Sequence, residues 1–580
     1  MLATVRRPRS RIALMTSFAA LTVATLTTVP VAASNADEVR SLSANFLAGH
    51  VAQKRRDLPA AIKYLGRALE QDAGEPNLLR RTFLFSLMDG RIDDGLTLAT
   101  RYLEIEKKAP IATLALAVAD AKKGDWAALK KRMSGLDSTG LNSFTAPALN
   151  AWATFAADGK EKGIEALKPL RDLGGTRVLY DLHVGLMHEL SGDLAAAETY
   201  YISVTKDDGG ATLRGARILG TLYERQGKMD EARAAFNLYL QAQPNSQFVD
   251  VDVARLDTGG KDAPILVGSA KDGVAEALFG IASSLNRQGG YETALVLGQL
   301  ALYLRPDFPV MRYTVGGILE ALDRFNDAID IYRAVGDNNP FSKSAKLRIA
   351  ANLDRENRTD ESIELLRDLT DAWKDDFNAP LALGDAYRRA ERWAEAISTY
   401  DEAVKRIGTL EPRHWQILYT RGIVLERAKE WKRAEEDFLK ALEFEKDQPL
   451  VLNYLGYSWV EQGVHLERAL KMIETAVAKR PHDGYITDSL GWIYYKLGRY
   501  ADAVPELERA VELRPEDPVI NDHLGDAYWR VGRHLEATFQ WNHALVLGPD
   551  PEIKTVIEQK LKNGLVEEAG AVIKTTPDGG

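Results

Sequence analysis

Leu490-Gly491-Trp492-Ile493-Tyr494-Tyr495-Lys496-Leu497-Gly498 is followed by Ala503, Leu507, Ala510 and Pro515, and the same arrangement then returns. The next copy reads Leu524-Gly525, Tyr528, Gly532, Ala537, Trp541, Ala544 and Pro549, and it places Gly525 34 residues after Gly491. Backwards from Gly491 the matching small residues are Gly456, Gly422, Gly384, Ala350, Gly316 and Ala282, at steps of 35, 34, 38, 34, 34 and 34. Leu490, Tyr494 and Leu507 are large residues at helical spacing, so each copy predicts a pair of helices whose apolar stripes face each other. Gly491, Ala503 and Ala510 are small where the two backbones come close. Gly498 permits the turn that ends the first helix, and Pro515 stops the second. One such hairpin cannot bury its own apolar face, whereas a stack of them buries a continuous core.

A 34-residue period of helix-turn-helix units resembles the tetratricopeptide repeat (TPR) family. Earlier units carry the same markers, as in Leu383-Gly384, Tyr387, Ala396, Tyr400 and Ala403, and in Leu219-Gly220, Tyr223, Gly227, Ala232, Phe236 and Pro244. The resemblance implies an all-α fold, a TPR superhelical solenoid of stacked helix-turn-helix units in two blocks. An N-terminal block is expected over 46–245, with degenerate units at 111–175 where the markers are eroded. Between Gly220 and Ala282 the spacing jumps to 62 residues. The intervening 246–271 is a non-repeat insert or hinge. Its alternating Phe248-Val249-Asp250-Val251-Asp252-Val253 reads as a loop or short strand-like piece. The C-terminal array covers 272–549. A capping helix at 550–565 carries Ile553, Val556, Ile557 and Leu561 as one apolar stripe, and 566–580 is expected to be a flexible tail.

Hydrophobic residues are 45% of the 580, aromatics 8% and charged residues 27%, which excludes a disordered or collagen-like chain. The net charge of −9 supplies no basic face for nucleic acid. The absence of cysteine excludes disulfides, thiolate metal sites, a cysteine nucleophile and a lipoprotein cysteine. At the N-terminus Arg6, Arg7, Arg9 and Arg11 precede an apolar run from Ile12 to Val29, then Pro30 and the small residues Ala32-Ala33-Ser34-Asn35-Ala36. That order reads as a secretory signal peptide over 1–33, making the chain periplasmic. An uncleaved anchor over Ile12–Ala33 is the alternative.

Nothing in the sequence spells a reaction centre. Gly159-Lys160, Gly227-Lys228 and Gly260-Lys261 lack the upstream glycine of a phosphate-binding loop. His188-Glu189 is not followed by a histidine at position 192, and the nine histidines are scattered. There is no Gly-x-Ser-x-Gly elbow. The expectation is a non-enzyme with no catalytic residue, no metal site and no cofactor.

In a TPR unit the first helix lines the concave face. Three residues before each marker glycine stand Asn453, Asp488 and Asp522. One residue after it come Tyr457, Trp492 and Asp526, and further along the helices stand Tyr495, Trp529 and Arg530. Aromatic anchors beside ordered polar groups are the chemistry of a partner-binding groove. Packing between units is the competing role for the same rings. The block from Leu452-Asn453-Tyr454-Leu455-Gly456-Tyr457 through Asp488-Ser489-Leu490-Gly491-Trp492 to His523-Leu524-Gly525 resembles bacterial envelope TPR adaptors of a carboxyl-terminal processing protease that degrades cell-wall hydrolases. The implied partners are protein or peptide segments in the groove. A carrier or subunit in envelope polysaccharide or cell-wall polymer handling is the alternative function.

Overall fold

The computed structural model describes residues 41–206, 212–244, 246–259 and 263–565. The signal-peptide expectation for 1–33 and the tail expectation for 566–580 lie outside the described residues. Every regular element among the described residues is a helix, with no strand. No described helix is long and apolar enough to cross a membrane.

The chain divides into two compact units, the first ending at Ala146 and the second starting at Pro147. The division falls within helix Asn142–Asp158, at its internal proline, and the 246–271 insert lies inside the second unit. The first unit stacks helices Leu42–Lys54, Leu58–Gln71, Pro76–Met88, Ile92–Ile105, Pro110–Lys123 and Trp126–Ser134, each packed on the next. In the second, the hairpins run from Arg177–Leu190 and Leu194–Thr205 to Pro518–Arg530 and His534–Val546, with helix Pro551–Asn563 behind the last of them.

The repeat markers do what their sizes demand. A Cβ on Gly316 would stand 2.4 Å from the Tyr332 ring, and one on Gly525 2.5 Å from the Trp541 ring. Glycine at that position is therefore a steric requirement of helix-on-helix contact. The partner ring in turn is removed from water, with Tyr332 2% exposed and Trp541 fully buried. Burying a side chain of that size contributes about 2–3 kcal/mol. In the eroded stretch 111–175 the close approach survives with its glycine moved. Gly163 sits on the second helix of its pair, against the Phe155 Cβ and backbone at 2.7–3.2 Å. A first-helix marker search passes over such a unit.

The insert corrects one expectation. Its described part contains helix Asp250–Asp257 and no strand. The alternation of valine and aspartate suggested one face of a strand, but the buried positions are Val249, Asp252 and Leu256, a helical stripe. Val251 is 41% exposed, while Asp252 is buried as an ion. A buried carboxylate needs partners. Arg217 Nε donates to Asp252 at 2.7 Å and Arg255 at 2.9 Å, and Arg255 also donates to Glu224 at 2.6 and 2.8 Å. These bonds dock the insert helix on helix Leu213–Arg225. The cap differs by one residue. Ile553, Ile557 and Leu561 pack against the core, but Val556 is 47% exposed.

Candidate functional site: the first-helix row

Successive first helices touch one another at several steps. Ala270–Arg287 meets Pro309–Ala321, Ser342–Arg355 meets Asn378–Arg389, and Pro449–Glu461 meets Gly484–Lys496, which meets Pro518–Arg530. Residues at one register position on these helices therefore line up as a row. This row contains every residue that the sequence pointed to.

At its C-terminal end the structure brings those residues together and turns them toward each other. Asp488, 7% exposed, accepts from His523 Nδ1 at 3.0 and 3.1 Å. Burial alone would lower the pKa of His523, but Asp488 outweighs it and holds the imidazole above its ordinary value. Trp492 lies between two rings, stacked on His523 at 3.9 Å between centroids and on Tyr495 at 4.8 Å. Its Nε1 donates to Glu461 at 2.6 Å, and Lys496 stands 5.0 Å from its ring centroid. Tyr495 accepts from Arg530 Nε at 3.2 Å, and burial pushes its phenol up to about 12.

Asp522 and Asp526 are occupied as well. Lys560 Nζ, from helix Pro551–Asn563, donates to both carboxylates at 2.8 Å. Trp541 Nε1 donates to Asp526 at 2.9 Å. Burial raises the pKa of Asp526, and Lys560 opposes the rise. Trp529 stacks on His534 at 4.2 Å, and its indole lies where a Cβ on Gly564 would be. Tyr457 is half-buried, with its phenol raised by burial. Asn453 is half-buried, and its Oδ1 accepts no hydrogen bond among the described residues. The predicted aspartates thus carry an internal ladder from unit to unit and on to the cap. Sequence reasoning missed the rungs His523, Glu461, Lys560 and His534. The 35-residue offset from Asp488 to His523 was the available signal, since contacts between neighbouring repeats recur near one period.

The same register position, three residues before the marker, is filled further up the chain by Arg217, Phe279 and Tyr313. All three line a cavity of about 230 Å³. The insert forms one of its walls. Phe248 packs edge-on to Tyr313 at 5.3 Å and tilted to Phe341 at 5.2 Å, within the range that aromatic pairs prefer. Phe248 was visible in the sequence, but only as part of a segment between repeats. Nothing local announced that it folds back onto the row.

Family models for the tetratricopeptide repeat match residues 191–247 and 381–449, and a TPR repeat model matches 491–532. A TPR repeat-containing protein of Pseudomonas aeruginosa is 29% identical over 197 residues, 33% of this chain and 32% of that one. The chain thus spans about a third of the length of the curated relative it matches. Among solved structures, a chain of the Cut9–Hcn1 hetero-tetramer is 15% identical, with 91% of this chain and 97% of that one aligned at a TM-score of 0.38. Yeast Tom70 is 12% identical, with 90% and 95% aligned at a TM-score of 0.33. Both superpositions are loose and bear nothing on function. With the matched stretches falling on helix pairs held by the marker contacts, the chain carries tetratricopeptide repeats and folds as an all-helical TPR solenoid.

Proposed function

We propose that this chain is an exported TPR scaffold of the bacterial cell envelope, an adaptor that holds other proteins and presents them to a processing protease. The observation that supports a holding role is the first-helix row. A repeated element places the same register positions side by side, and such extended faces are what solenoids use to bind polypeptides. The order of arginines, apolar run and small residues over Arg6–Ala36 supports export. The block from Leu452 to Gly525 supports the adaptor role through its resemblance to envelope TPR adaptors. The groove site Asn453, Tyr457, Asp488, Trp492, Tyr495, Asp522, Asp526, Trp529 and Arg530 is retained in a narrower sense. Its exposed edges can meet a partner, while its aspartates and the two faces of Trp492 are engaged within the chain.

The test is cross-linked affinity capture of the full-length chain from its own envelope fraction, read by mass spectrometry. Recovery of a carboxyl-terminal processing protease together with cell-wall hydrolases is the expected result. Recovery of polymer synthases or export components without a protease would overturn the adaptor role and favour polymer handling.

A further inference from the structure

The cavity under Phe248 is built, not left over. Arg217, Phe279 and Tyr313 reach it from the inward register position of three first helices, and Phe341 enters it from the start of a fourth. Leu213 and Val310 complete an apolar lining. Four aromatic rings converge on one opening, one of them the insert's own Phe248. An apolar cavity of about 150 Å³ accommodates a benzene ring. The 230 Å³ here has room for a larger planar group.

The charges beside it decide what kind of group. Arg214 donates to Glu276, and Arg217 donates to Asp252; both carboxylates are removed from solvent. Each guanidinium is already neutralised, so the pocket offers no uncompensated cation to an anionic ligand. What remains on offer is ring surface, with the Arg217 guanidinium 6.0 Å from the Phe341 centroid and Phe248 edge-on to Tyr313. Phe248 itself shows the chemistry that this box accepts, a neutral aromatic side chain on a polypeptide.

We propose that this pocket, walled by the insert, is the docking site for a neutral aromatic side chain of a partner polypeptide lying along the first-helix row. Ring-in-pocket anchors of this kind dominate binding at protein interfaces because the pocket is desolvated once and refilled by matched surface. The insert is then a specificity element. Its buried ion pairs, Asp252 with Arg217 and Arg255 with Glu224, hold Phe248 in place, so that the opening admits one further ring rather than a whole helix. The proposal rests on the scaffold reading, but its test needs no cellular partner. An empty capture and an empty pocket are therefore separate failures.

The experiment titrates N-acetyl-L-tryptophanamide into the full-length chain, followed by ligand-observed saturation-transfer NMR, with N-acetyl-L-leucinamide as comparator. The wild-type chain is expected to bind the tryptophan derivative saturably and the leucine derivative at least tenfold more weakly. Val310→Phe, which fills the cavity from its own wall, is expected to weaken binding at least tenfold with helical circular dichroism unchanged. Should Val310→Phe lose its helical signal, Thr314→Leu blocks the same wall. The Thr314 hydroxyl is spent only on the Val310 carbonyl of its own helix, so its loss leaves the fold intact. The proposal is overturned if the wild type shows no saturable binding, if the two derivatives bind equally, or if a folded blocking variant binds as the wild type does.

Discussion

Trp492 is almost wholly removed from water. Its register puts it on the first-helix row, yet His523 and Tyr495 cover its two faces and Glu461 takes its N–H. Truncation to alanine is therefore expected to cost about 3–5 kcal/mol of stability, as for other buried tryptophans, measured by urea unfolding of the C-terminal repeats. A loss of binding with no loss of stability would show instead that the ring is a free anchor. Two histidines give opposite responses to pH. Trp152 Nε1, which can only donate, gives its hydrogen to His183 Nδ1 at 3.0 Å, so that ring must be neutral. Burial lowers the His183 pKa from 6.5 to about 4, against a smaller opposing pull from Glu276. The unfolded chain then binds a proton that the folded chain refuses, and stability falls as pH drops from 6.5 towards 4, by up to about 3 kcal/mol at 1.4 kcal/mol per pKa unit. His523 is raised by Asp488, so its contribution is complete below pH 6.5 and is lost as pH rises through its folded value. In urea titrations from pH 4 to 8, His183→Gln should gain on the wild type as the pH falls, and His523→Gln should lose ground. Parallel curves for the two variants would contradict both assignments.

Between the first and second helices of a unit the chain turns through a left-handed residue. Gly498 and Gly532 fill it in the last repeats, at φ 74° and 83°, and Gly227 does so earlier at 76°. Asp323, Asn357, Glu391 and Lys429 hold the same turn in the middle of the array, with φ between 55° and 65°. A side chain there crowds the following carbonyl, a strain that asparagine and aspartate relieve locally and that glutamate and lysine do not. Glu391→Gly and Lys429→Gly are each expected to stabilise by up to about 1 kcal/mol, whereas Asn357→Gly should change little. Thermal melts of the three variants check the ordering, and an equal loss in all three would show that the glycine's unfolded-state entropy outweighs the strain. The turns were legible because glycine punctuates them; where it is replaced, only the period reveals them. The insert was the least legible element. Alternating Val and Asp is a strand signal when every aspartate faces water, and Asp252 does not. Arg217 and Arg255 supply its counter-charges, one of them from a helix 35 residues earlier. No window confined to 246–271 contains that information.

On the scale of the whole chain, the hairpin stack was readable from periodicity because each unit repeats the same steric solution. The row's occupants were not, because they are single contacts between segments far apart in sequence. Gln247 donates to Asp376, 129 positions on, and Lys560 reaches back to Asp522 across 38. The row is consequently closed by the chain itself at two places, by the insert around Tyr313 and by the cap helix at Asp522 and Asp526. The space beside these contacts includes the aromatic pocket lined by Phe248, Phe279, Tyr313 and Phe341. Amide hydrogen exchange of the full-length protein, resolved by peptide, tests this closure directly. Protection over 249–256 is expected to match that of helix Leu213–Arg225, on which it rests, and protection over 553–561 that of helix Pro518–Arg530. Exchange of either segment at the rate of unstructured chain, with those helices still protected, would contradict it.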